Sequence, residues 1–188
     1  MFTSLFLKML NREAASARSK PEEVIESLQI REGQIIADIG SGGGFFTLAL
    51  SQKTGKTGRV YAVDVKKKYL DFIKRRSERA GLYNIVFTLS GEGEMDLPVA
   101  GVDLVFVRNV FHHLPEPANY FANLKKYVKK DGKVAIIEHK KKGYGFVALF
   151  GHHTSQEVIV RTMEKAGYFT EGIFAFLPDH TFTLFGVK

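Results

Sequence analysis

The run Ile35-Ile36-Ala37-Asp38-Ile39-Gly40-Ser41-Gly42-Gly43-Gly44 constrains this chain more than any other segment. Its first half is an apolar strand. Its second half is a turn so rich in glycine that the backbone can take left-handed conformations and come close to a bound molecule before a helix begins at Phe45. A strand, a glycine turn and a helix make the first part of a βαβ unit, and the glycine spacing narrows what the turn can hold. A dinucleotide fingerprint needs its third glycine five positions after the first, and Phe45 stands there. Glycines fall instead at 40, 42 and 44, behind an acid at 38.

The rest of the chain repeats the strand-helix rhythm. Arg59-Val60-Tyr61-Ala62-Val63 reads as a second strand and ends in Asp64, somewhat over twenty positions past Gly40, where an acid can accept hydrogen bonds from both hydroxyls of a ribose. A third strand, Ile85 to Leu89, opens into Gly91-Glu92-Gly93-Glu94. A fourth, Val102 to Val107, runs into Arg108-Asn109-Val110-Phe111-His112-His113-Leu114. The fifth, Lys133 to Ile137, follows Asp131-Gly132 and leads to Glu138-His139. Such alternation predicts right-handed crossovers and a parallel sheet covered on both faces.

Four motifs in this order and spacing resemble those of class I S-adenosylmethionine (SAM)-dependent methyltransferases, from about Pro21 to Val187. The likeness is nearest to the broad group that contains ubiquinone/menaquinone-biosynthesis C-methyltransferases. Phe176-Leu177-Pro178 followed by Phe182-Thr183-Leu184-Phe185 resembles the last hairpin of such proteins. The resemblance implies S-adenosyl-L-methionine as cofactor, S-adenosyl-L-homocysteine as product, and no metal. It implies that Asp38 buttresses the turn, that Gly40, Ser41, Gly42 and Gly44 leave the cofactor room, that Asp64 binds the ribose, and that Val65 offers adenine an apolar face. Glu92 and Gly93 would edge the adenine, with Glu92 one methylene longer than the family's usual Asp. Arg108 would lie near the methionine end.

The expected fold is therefore α/β, a Rossmann-like seven-stranded mostly parallel sheet with helices on both faces and a C-terminal antiparallel hairpin, all in one domain over residues 1–188. Capping-box spacing in Ser19-Lys20-Pro21-Glu22 predicts that Ser19 caps an early helix, and Thr154-Ser155-Gln156-Glu157 opens the last one, to about Ala166. Phe2, Leu5, Phe6 and Met9 share one helical face. That face is expected to pack on the domain, with a lid over the cofactor as the other reading.

Candidate acceptor-side residues are His112 and His113, of which at least one is expected to be structural, and His152 and His153. The last two follow Gly143-Tyr144-Gly145-Phe146, a loop expected to roof the substrate, with Tyr144 facing it. Paired histidines without further ligands predict no metal site. Without cysteine the chain has no disulfide, no thiolate metal site and no cysteine nucleophile. Where enzymes that methylate the amino groups of adenine, cytosine or glutamine carry Asn/Asp-Pro-Pro-Tyr, this chain reads Arg108-Asn109-Val110-Phe111, which argues against that subclass but not against RNA O- or C-methylation.

The net charge of +7 comes largely from clusters such as Lys66-Lys67-Lys68 and Lys140-Lys141-Lys142, read first as solvated helix faces. The first reading is methyl transfer to a small, apolar or aromatic acceptor. The alternatives are an RNA or lipid-headgroup methyltransferase using a nucleic-acid or anionic-lipid patch, and a non-catalytic SAM-binding protein. The apolar start is too short for a membrane span and poorly built as a signal peptide, so a cytoplasmic location is expected.

Overall fold

The computed structural model describes residues 2–91, 95–140 and 154–188. Strands β1 (Ile35–Ile39), β2 (Arg59–Asp64), β3 (Ile85–Leu89), β4 (Val102–Arg108), β5 (Val128–His139), β6 (Tyr168–Phe174) and β7 (His180–Val187) form a seven-stranded sheet in the order β3-β2-β1-β4-β5-β7-β6. This is the expected Rossmann-like architecture, and its reversed last strand is the feature dehydrogenase domains lack. The described helices are α1 (Phe2–Ala14), α2 (Pro21–Ser27), α3 (Phe45–Thr54), α4 (Lys67–Arg79), α5 (Pro117–Leu124) and α6 (Gln156–Lys165).

One compact unit covers residues 1–97. Its strands are parallel, with Asp38 level with Ala62 on β2 and Asp64 level with Leu89 on β3. Ile36, Ala37, Val60 and Ala62 have no exposed surface, as expected for strands covered on both faces. Asn84 ties this layer together: its side chain donates to the carbonyls of Ser51 (3.1 Å) and Gly55 (2.8 Å), which closes the C-terminal end of α3.

Two expectations at the start of this unit are corrected. Ser19 does not cap α2. Its hydroxyl donates to the Glu13 carbonyl at 2.8 Å and closes the end of α1, while Lys20, in the left-handed region at φ 41°, leads into Pro21 without a side-chain cap. Proline at the first helical position needs no N–H partner there, so the start tolerates the lost cap. Helix α1 does pack on its unit, but through the face opposite to the expected one. Leu7 and Ala14 are buried, whereas Phe2 is 91% and Leu5 69% exposed.

The other unit covers residues 98–188. β5 pairs in parallel with β4 and antiparallel with β7, and β6 returns antiparallel to β7 with an irregularity between Thr170 and Gly172. Phe106, Phe121, Phe182, Phe185 and Tyr168 are fully buried. Tyr168 donates its hydroxyl to the Phe121 carbonyl at 3.0 Å, and burial pushes its phenol far above the ordinary range. Ser155, not Thr154, caps α6, accepting from the Val158 amide at 3.3 Å.

Candidate active site

In the first unit the glycine turn is latched to the tip of β2. The amides of Gly40 and Ser41 both donate to the Val63 carbonyl, at 2.8 and 3.1 Å, and the Ser41 hydroxyl reaches the same oxygen at 2.9 Å. Gly40, Gly42 and Gly44 take φ of 71°, 53° and 75°, conformations that cost other residues strain. Asp38 is buried and accepts a 2.5 Å bond from the Thr47 hydroxyl, joining the end of β1 to α3. Gly44 caps α3 with no side chain bonded to the helix start, so the positive end of that helix suits a small anionic group.

Asp64 completes the cradle. One carboxylate oxygen accepts from the Gly42 amide and the other from the Lys66 amide, each at 3.0 Å. An ionised carboxylate has about four acceptor positions. The Gly42 and Lys66 amides take one position on each oxygen, and acceptor capacity left on the carboxylate suits the paired hydroxyls of a ribose. Val65 beside it is 70% exposed, an apolar shelf of the kind a flat purine can cover. These residues fit SAM.

Asp64 is only 7% exposed, and burial holds its carboxyl above the ordinary 3.8, although the Gly42 and Lys66 amides and the Lys66 charge pull the other way. The folded protein thus binds this proton more tightly than the unfolded chain. The group's contribution to stability is greatest below the ordinary Asp pKa and is lost as pH rises through the raised value. A ribose hydroxyl donating to this carboxylate would depend on pH with the opposite sign, because protonation removes an acceptor. SAM affinity, measured by calorimetry across acidic pH, is expected to fall as pH drops through a value above 3.8. Asp64→Asn is expected to lose that titration.

Two side chains that spacing does not reveal hold the turn from outside. Asn11 of α1 and Arg76 of α4 both donate to the Gly43 carbonyl, at 2.8 and 2.7 Å. A Cβ on Gly43 would lie 2.6 Å from the Leu7 carbonyl oxygen, so the backbone of α1 rests directly against the turn.

The second unit gathers polar groups at the ends of β4 and β5. Glu138 has no exposed surface. One of its oxygens lies 2.8 Å from His112 Nδ1 and accepts the His139 amide at 3.0 Å, while the other accepts the His112 amide at 3.3 Å. With Glu138 ionised the carboxylate can only accept, which assigns the proton to Nδ1 and, in the neutral ring, the lone pair to Nε2. The His113 ring packs against His112, centres 4.0 Å apart and planes tilted by 48°, and is more exposed than it. Asn109, just after β4, is held at φ 56°, a strained value of the kind found at functional sites. Its amide nitrogen lies 3.4 Å from His180 Nε2, and its buried oxygen has no hydrogen-bond partner among the described residues. Arg108 ends β4, half-buried and level with Ile137.

Glu92, Gly93, Tyr144, His152 and His153 lie outside the described residues. Among the described residues no group of three or more His, Asp or Glu is placed to hold a metal ion.

The chain matches the family described as "Methyltransferase domain" over residues 30–169. It is 26% identical over 167 residues to a protein-L-isoaspartate O-methyltransferase of Methanosarcina mazei, covering 81% of this chain and 68% of the relative. It is 32% identical over 110 residues to the protein of the same name from Methanococcoides burtonii, covering 58% of this chain and 51% of that one. The crystal structure of a SAM-dependent methyltransferase from Aquifex aeolicus superposes with a TM-score of 0.86 at 27% identity, covering 97% of each chain.

Proposed function

Since the chain belongs to the methyltransferase-domain family of class I SAM-dependent methyltransferases, we propose that it methylates a small, apolar or aromatic acceptor whose reacting atom arrives protonated. When bound, SAM supplies a methyl group on a positively charged sulfonium, already activated toward attack. The protein has only to hold, orient and dry the partners. Asp64 grips the ribose, Val65 covers the adenine, and the turn at Gly40, Ser41, Gly42 and Gly44 admits the methionine tail, braced by Asp38 through Thr47. Arg108 is assigned to the methionine end, and Glu92 and Gly93 keep their assignment to the adenine edge.

The observation that carries the acceptor chemistry is the buried Glu138 on His112 Nδ1. A carboxylate in that place fixes the tautomer and raises the basicity of the far nitrogen. A base is useful only if a proton must leave the acceptor. A hydroxyl, a phenol or an acidic carbon needs one. The isoaspartyl carboxylate in the names of the relatives, ionised at neutral pH, does not. His112 is therefore assigned as the base and Glu138 as its positioning residue. His113 packs on His112, and Tyr144, His152 and His153 keep their assignment to the acceptor side. The closing hairpin and the motif order support kinship with the quinone C-methyltransferases, whose acceptors are of this type.

The test is transfer of labelled methyl from SAM to a panel of phenols and quinols, with an isoaspartyl peptide alongside. Phenolic acceptors are expected to turn over, and labelling of the peptide alone would reject the assignment. With a working acceptor, Glu138→Gln is expected to lower kcat about a hundredfold, in the usual range for impaired general-base catalysis, and to shift the alkaline-rising limb of the pH profile. The Kd for SAM should stay unchanged.

A further inference from the structure

The outer face of α1 is left unexplained by the cofactor cradle. Phe2, Leu5, Phe6 and Met9 are 91%, 69%, 44% and 58% exposed, and they form one strip on the side opposite the buried Leu7 and Ala14. A helix apolar on both sides implies a cover on both, and a contiguous exposed strip of large side chains marks an interaction surface.

Charge and length select what covers it. At 13 residues α1 is too short to cross a bilayer, but a helix with an apolar strip and basic edges suits the plane of the membrane interface. Lys8 and Arg12 are exposed on its flank; its one acid, Glu13, also exposed, stands beyond the four apolar side chains at the C-terminal end of the helix, within 3.1 Å of the Ser19 hydroxyl. Phe6 rests near Tyr69 of α4, ring centres 6.5 Å apart, and α4 brings exposed Lys66 and Lys68 to the same side. Between α1 and α4 lies a recess lined by Thr3, Ser4, Lys68, Arg75 and also Asp71. Cations around an apolar strip complement anionic headgroups over acyl chains. The same cations oppose a second copy, because a two-fold contact through the strip would set like charges against each other in a protein of net charge +7. Single-stranded RNA needs aromatic platforms for its bases, and half of this strip is aliphatic.

We propose that α1 docks the protein on anionic membrane surfaces, with Phe2, Leu5, Phe6 and Met9 inserted below the headgroups and Lys8, Arg12, Lys66 and Lys68 among them. The proposal does not depend on which acceptor is methylated.

The experiment is cosedimentation of the full chain with phosphatidylcholine vesicles, with and without phosphatidylglycerol. Binding is expected only to the mixed vesicles and should weaken with salt. Leu5→Glu should reduce partitioning about tenfold or more, the scale for withdrawing one large apolar side chain. Lys8→Glu should reduce it on anionic vesicles, with thermal melts showing both variants folded. Failure of the wild type to sediment with mixed vesicles would overturn the proposal, as would indifference to Leu5→Glu. So would a dimer in sedimentation velocity that Leu5→Glu dissolves, or retention on RNA that the same substitution abolishes.

Discussion

Asp64→Ala is expected to weaken SAM binding by about 3 kcal/mol, roughly a hundredfold in Kd, the scale of two lost hydrogen bonds to a charged group. The carboxylate has a second task, since it also accepts the amides of Gly42 and Lys66. Alanine strands both donors in a largely buried site, which adds about 1 to 3 kcal/mol of destabilisation for each left without water. Calorimetry should therefore be run well below the variant's melting temperature. An unchanged Kd in a folded variant would remove the ribose from Asp64.

Gly44→Ala is expected to cost about 3 kcal/mol of stability from two separable sources. The backbone sits at φ 75°, where a Cβ costs about 1 to 2 kcal/mol. The added methyl would also lie 2.7 and 2.9 Å from the two γ carbons of Ile73, a side chain with no exposed surface and nowhere to move, and such overpacking costs about 1 to 3 kcal/mol. Gly81→Ala isolates the first term, because Gly81 has φ 68° and nothing within 4 Å of an added Cβ. Urea denaturation should show a much larger midpoint shift for Gly44→Ala than for Gly81→Ala. Ile73→Ala, which removes both γ carbons, should cost less stability in the Gly44→Ala background than in the wild type. Equal shifts for the two glycines would mean that the packing under the turn contributes nothing.

Local signals made most of the fold legible. Strands β1 to β5 announce themselves as apolar runs, the glycine turn follows from its spacing, and the final antiparallel pair follows from the family resemblance. What escaped depends on distant partners. Spacing shows that Phe2, Leu5, Phe6 and Met9 share a face of α1, yet Leu7, Leu10 and Ala14 make a second apolar face on the same helix. Contact with the turn goes to the side carrying Asn11, whose amide can bond Gly43 where a large side chain would hold the helix away. Ser19 had two helix ends within reach, and a capping-box pattern cannot tell which one the backbone offers. The site divides in the same way. Asp38, Gly40, Gly42, Gly44 and Asp64 form one bonded cradle because all stand at the ends of adjacent parallel strands. Glu138 was visible only as the residue after a strand, since its pairing with His112 joins β5 to the turn after β4. Arg76 and Asn11 reach Gly43 from more than thirty positions away.

The central claim is that SAM lies in the cradle built by the glycine turn and Asp64. A crystal structure of the protein with S-adenosylhomocysteine tests it most directly. The expected result has both ribose hydroxyls donating to the Asp64 carboxylate, the adenine over Val65 and the homocysteine tail along Gly40 to Gly44. A nucleoside bound elsewhere, or an Asp64 carboxylate still touching only the Gly42 and Lys66 amides, would contradict it.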